Sequence, residues 1–161
     1  MKYLIVLLLF IAGWFATVPA ESGEKPHVAY LEHFLQLYPK RLDNAMKVLP
    51  TVESHARKYG FEPIVPTVMI SCESAWKSGV SGTVGELGLM QVHGFCARKR
   101  DLSTPRGQVE AGMACLAMAR DACDGSLTQT ITMYMSGSCR ARTARTKRVV
   151  ARRVRIIERW K

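Results

Sequence analysis

Residues 65–91 read VPTVMISCESAWKSGVSGTVGELGLMQ. Val65, Val68, Met69, Cys72 and Trp76 recur at i, i+3, i+4, i+7 and i+11, the spacing of a helical face turned to a core. Pro66 suits the first turn of that helix, where a missing N–H costs little. Glu73 is the odd member. Ile70 and Met69 are its i−3 and i−4 neighbours, so its carboxyl stands beside apolar groups. Burial there penalises the charged form and raises the pKa. A carboxyl kept protonated near neutral pH can serve as a general acid. A salt-bridged core Glu or a solvated helix edge has the same spacing, so periodicity alone leaves both readings open. After Trp76 the helical pattern breaks. Residues 77–88 hold four Gly and three Ser or Thr, which predicts a loop or short irregular hairpin. Leu89 to Val92 is a brief apolar stretch.

On either side of this stretch the pattern is also helical. Val28, Leu31, Leu35 and Tyr38 share one face of a helix over 27–38 that Pro39 stops. A second helix carries Ala45, Val48, Leu49 and Val52, with Asp43 as its cap, a bend or break near Pro50 and Gly60 as its C-cap. Residues 108–122 and 127–135 read as two more. Residues 140–161 differ: ten of the chain's 23 positive charges fall there against one acid, Glu158. Val150, Val154 and Ile157, extended by Trp160, make a narrow apolar strip along them. The reading is a mostly helical domain over 28–139 with a basic C-terminal helix over 140–161, packed on the domain or extending it.

The first twenty residues, MKYLIVLLLFIAGWFATVPA, have the layout of an export signal. Lys2 precedes a 16-residue apolar run from Tyr3 to Val18, and small residues lead to Ala20. The run is short of the roughly 20 residues a spanning helix needs, which favours cleavage after Ala20 over retention as an anchor. Residues 21–27 read as a linker. Export places the chain in the periplasm or outside the cell, where cysteines pair. Cys123 and Cys139 flank one apolar segment in turn-like surroundings and are the first expected disulfide; Cys96 and Cys115 are the second. Cys72, inside the apolar helix, is expected to be a buried free thiol. No CxxC occurs and the four His are scattered, so no metal or cofactor is implied. The 161 residues are 48% hydrophobic and 22% charged. That balance argues against a disordered or fibrous chain. The formal net charge of +10 favours an anionic partner or surface.

The stretch ESAWKSGVSGTVGELGLMQ, Glu73 to Gln91, closely resembles the catalytic signature of the lysozyme-like soluble lytic transglycosylases, which run from an E-S-aromatic start to a G-L-M-Q finish. VPTVMISCESAW is similar to the family's catalytic helix. Gln108-Val109-Glu110-Ala111-Gly112 resembles its N-I-x-x-G helix start, with Gln108 where Asn is usual. Met133-Tyr134-Met135-Ser136-Gly137 resembles its A-Y-N-x-G motif, with Met135 where the family has Asn. The resemblance spans roughly residues 50–140.

It implies a mainly α, α+β lysozyme-like fold with a small irregular hairpin near the catalytic helix. It also implies cleavage of the β-1,4 bond between N-acetylmuramic acid and N-acetylglucosamine in peptidoglycan. Glu73 would protonate the leaving oxygen and then deprotonate the muramic C6 hydroxyl, which closes onto C1 to leave a 1,6-anhydro end. One carboxylate then suffices, where glycoside hydrolysis usually needs two. Glu86 in the Gly-rich loop is the nearest second acid. If it acted, the protein would be a hydrolysing lysozyme; otherwise it is a solvated loop charge. Ser74, Gly88, Leu89, Met90, Gln91 and Tyr134 would bind or position the strand. Each also has a plainer reading: Ser74 as a helix cap, Gly88 as a tight turn, Met90 as core, Tyr134 as a packed aromatic. Otherwise the Tyr134 hydroxyl would orient Glu73.

The basic tail from Arg140 to Lys161, Arg153 among its cations, would attract anionic wall polymer or membrane, or serve only as a solvated face. Export argues against nucleic acid. Such an enzyme would serve wall lysis, or open a passage for a secretion, conjugation or phage machine. A catalytically silent cationic wall- or membrane-binding protein is the competing reading.

Overall fold

The computed structural model describes residues 25–98 and 100–161; the expected leader over 1–20 lies outside them, as does most of the linker. Among the described residues six α-helices follow in order: α1 (Pro26–Leu37), α2 (Leu42–Tyr59), α3 (Ile64–Glu73), α4 (Pro105–Ala122), α5 (Leu127–Ser136) and α6 (Ala144–Arg159). Single 3-10 turns occupy Pro39–Arg41 and Gly94–Ala97. Among the described residues strand is limited to isolated antiparallel bridges, Ser81 to Leu87 and Leu87 to Val92. This is the mainly α, lysozyme-like arrangement expected, and the two bridges make the irregular hairpin.

α3 is the central element. Every residue from Ile64 to Ser71 is buried, because α1, α2 and α6 all pack on it. A helix covered on all sides is apolar all round, which the Ile-Val-Pro-Thr-Val-Met-Ile run provides. α4 packs on α2 and α5, and α5 on α6. Val52, Val68, Met113, Leu116, Ile131 and Ile157, from α2 to α6, close the core without exposure.

Several element ends differ from the sequence reading. Pro26 and His27 belong to α1 and not to a linker, because Pro26 at the first helical position has the fixed φ that a helix start requires. His27 is buried, and its Nε2 lies 2.7 Å from Glu53 Oε1 on α2. Asp43 sits in the first turn of α2 and does not cap it. Pro50 lies within an unbroken α2. It and Met46 are exposed, so the carbonyl that Pro50 leaves free can turn to water. Gly60 ends α2 in the left-handed region (φ 69°), as expected.

Cys96 and Cys115, and Cys123 and Cys139, stand at disulfide distance, each with Cα atoms 5.6 Å apart. The first pair ties the second 3-10 turn to α4. The second ties the end of α4 to the chain beyond α5. Cys72 is free and half-buried.

α6 is an integral wall of the fold. Val150 and Ile157 are in the core, and Val154 and Trp160 pack against it. Arg153 lies in the same strip, three residues after Val150 and four before Ile157, and is only 7% exposed. The expectation that it belongs to the outward cationic face is therefore corrected: helical spacing turns it inward. The other tail cations are exposed.

Candidate active site

Glu73 is the last residue of α3. The chain leaves the helix through Ala75 (φ 49°) and Trp76 (φ 62°), two successive non-glycine residues in the left-handed region. Each such residue costs on the order of 1–3 kcal/mol and persists only where its surroundings enforce it. Trp76 is fully buried. Its Nε1 donates to Ser71 Oγ at 2.8 Å, and its carbonyl accepts a hydrogen bond from the Asn44 side-chain amide. Packing thus forces the turn that leaves Glu73 at the helix end. Ser74 is buried, and its Oγ donates to the Ile70 carbonyl at 3.3 Å; its hydroxyl serves the helix terminus.

Two grooves meet at Glu73. One, of about 840 Å³, is lined by Glu86, Gln91, His93, Phe95, Tyr134 and Met135 among others. The other, of about 730 Å³, lies between α1 and α6 and includes Tyr30, His33, Tyr38, Lys77, Arg152 and Trp160. The Glu73 side chain is 17% exposed. Its Oε1 accepts a hydrogen bond from Arg153 Nη2 at 2.9 Å. Burial pushes its carboxyl above the ordinary value of 4.5. The Arg153 charge and hydrogen bond pull the other way without cancelling it, and the nearby Glu86 charge adds to the rise.

The G-L-M-Q segment is a scaffold. Leu89 and Met90 are fully buried and Gly88 is also buried, so the two side chains cannot touch a strand in the groove. Gln108 explains why the segment is rigid. Its Oε1 accepts from Leu89 N–H at 2.9 Å, and its Nε2 donates to the Ser78 and Leu102 carbonyls at 3.1 and 2.9 Å. A Cβ on Gly88 would fall 2.3 Å from Gln108 Cδ, and one on Gly112 would fall 2.5 Å from Met90 Cβ. The glycines therefore permit hairpin and α4 to touch. Gln91 does line the groove, and its Nε2 donates to the Gly88 carbonyl at 2.9 Å.

Tyr134 stands beside Glu73 in the groove, but its hydroxyl donates to the Met90 carbonyl at 2.6 Å. That corrects the expectation of a bond to Glu73: the hydroxyl is committed to pinning α5 on the hairpin. Burial, with the Glu73 charge second, pushes the Tyr134 pKa well above the phenol range. Met135 lines the same groove. Glu86 lines it too, and its Oε2 accepts from Val84 N–H at 3.1 Å.

Sequence reasoning missed Arg153 as a partner of Glu73, although its place in the Val150–Ile157 strip was a usable signal. It also missed the aromatic wall of Tyr30, His33 and Trp160. There the Trp160 ring centroid lies 5.9 Å from Tyr30 and 5.8 Å from His33.

Among families of known proteins, the model of the transglycosylase SLT domain matches residues 50–153. No curated protein and no solved structure matches the chain. The matched segment runs from within α2 to Arg153 and so contains both members of the buried ion pair. Activity on peptidoglycan is general to that domain. With most of its length matched, the chain belongs to the transglycosylase SLT domain family.

Proposed function

We propose that the protein is an exported lytic transglycosylase that cleaves the MurNAc-β-1,4-GlcNAc bond of peptidoglycan, with Glu73 as its single general acid and base. The supporting observation is the position of Glu73 between two grooves, part-shielded from water, with its carboxyl pushed above the usual range. A strand lying across both grooves brings its scissile oxygen to that carboxyl. Glu73 gives its proton to the leaving GlcNAc oxygen as the C1–O bond breaks. The muramic C6 hydroxyl then attacks C1 and returns a proton to Glu73. A 1,6-anhydro end forms, no water is consumed, and the carboxyl is regenerated. Gln91 and the hairpin backbone position the strand, and Tyr134 holds the hairpin against α5.

The domain in this reading runs from Pro26 through α6, behind a leader over 1–20. The exposed tail cations hold the enzyme near anionic wall polymer or membrane, where local cutting serves lysis or the passage of a larger machine. Glu86 supports a second reading, hydrolysis by two carboxylates, because it lines the same groove and its charge acts on Glu73.

Digestion of purified peptidoglycan by the wild type and by Glu73→Gln, read by mass spectrometry, tests the proposal. Anhydro ends from the wild type and at least a hundredfold less from the variant are expected, given the 10²–10⁴-fold usual for general acid–base catalysis. Reducing ends would favour the Glu86 reading. No products from either protein would favour a silent wall-binding role.

A further inference from the structure

The groove between α1 and α6 has a charge pattern that cutting a glycan does not require. Lys77, Arg152, Arg153 and Arg159 line it, and Glu73 is the only acid among the described lining residues. Among the described residues Lys77, Arg152 and Arg159 form no ion pair. Arg153 is only 7% exposed. It spends Nη2 on Glu73, and its Nε is buried without a hydrogen-bond partner. A buried guanidinium with an unused donor, at the edge of a cation-lined groove, is built to accept a further anion.

We propose, building on the transglycosylase reading, that this groove seats a carboxylate borne by the glycan strand and that this carboxylate draws the Arg153 guanidinium away from Glu73. The carboxylate is that of the muramic lactyl group or of the attached stem peptide. The Arg153 pair favours the ionised form of Glu73 and so opposes proton donation. Once Arg153 turns to the incoming carboxylate, Glu73 takes a proton from solvent and becomes the acid that cleavage needs. Cys72, Tyr134, Glu86 and His93 face Glu73 from one side and His33, Lys77, Arg152 and Arg159 share the groove on the other, but the charges that act on its carboxyl are those of Arg153 and Glu86. Of those two only Arg153 is positive, and it alone is bonded to Glu73, so the release depends on Arg153. The enzyme thereby acts where a strand with the right substituent is seated.

Three strand preparations test this: strands with stem peptides, strands stripped to the free lactyl carboxylate, and stripped strands with that carboxylate amidated. Release of anhydro ends is measured for each. The wild type is expected to cut carboxylate-bearing strands about tenfold faster than amidated ones, the scale of a lost charge-assisted hydrogen bond. Preference for peptide-bearing over stripped strands assigns the site to a stem-peptide carboxylate; preference for stripped strands assigns it to the lactyl carboxylate, which peptide-bearing strands hold as an amide. Arg153→Met should erase the preference. The double variant Arg152→Gln, Arg159→Gln, with both changes at exposed positions, should raise KM about fivefold on carboxylate-bearing strands and much less on amidated ones. Equal wild-type rates on charged and amidated strands would overturn the inference while leaving the transglycosylase reading intact. So would an unchanged preference in Arg153→Met. Failure of all three preparations to yield anhydro ends would instead remove the reading on which it rests.

Discussion

Two opposed influences act on the carboxyl of Glu73. Desolvation favours its neutral form, and the Arg153 guanidinium 2.9 Å away favours the anion. An acid whose pKa is raised in the folded protein is active below that pKa and loses its proton as pH rises through it. Activity should therefore fall on the alkaline side at a pH above the ordinary 4.5 of a Glu. Arg153→Met removes the influence that lowers the pKa, so that limb of the kcat/KM profile should move to higher pH. A limb that stays in place or moves down would contradict this account of the ion pair. At this scale Glu73 was legible, because an acid inside an apolar helical face is conspicuous and its neighbours resemble a known signature. Arg153 was hidden by its setting, one cation among ten in the tail. The partner of the Tyr134 hydroxyl could not be read, since it is a backbone carbonyl 44 residues away.

The hairpin between α3 and α4 carries Glu86 and Gln91 yet has almost no strand pairing of its own. Its order comes from outside. Gln108 on α4 satisfies three hairpin and loop backbone groups, Gly112 lets Met90 settle on α4, and Tyr134 holds Met90 from α5. The Q-V-E-A-G segment is thus a clamp for the G-L-M-Q segment, which explains why both occur in one chain. Gly112→Ala would place a methyl group against the near part of the Met90 side chain, which cannot swing away. A loss of about 1–3 kcal/mol of stability is expected, visible as a lowered midpoint in denaturant. Gln108→Ala should cost a similar amount by orphaning the buried Leu89 N–H. It should also reduce kcat on peptidoglycan, because the groove floor loosens. Unchanged stability in both variants would mean that the hairpin is held by something else. Helix positions were readable from period alone. The clamp was not, because it depends on side-chain to backbone bonds between distant segments.

Taken as a whole, the molecule is a bundle wrapped around α3, with a helix of high positive charge forming one wall of the site. That helix has two faces with separate duties. Val150, Arg153 and Ile157 face inward, and the exposed arginines give the surface its charge. Binding to purified sacculi should accordingly weaken several-fold as salt is raised from about 50 mM to about 500 mM, since exposed charges are screened over a few ångströms at high ionic strength. Salt-independent pelleting would deny the tail that role. In the sequence, α6 reads as a basic helix packed on, or extending, a domain that ends near residue 139. Only folding reveals that its apolar strip completes the core and supplies the partner of Glu73. The account depends most on one carboxyl acting without a second acid to activate water. Digestion of peptidoglycan in water enriched in oxygen-18, followed by mass analysis of the new muramic ends, tests this most directly. Unlabelled anhydro ends are predicted; incorporation of the heavy oxygen into reducing ends would contradict the account.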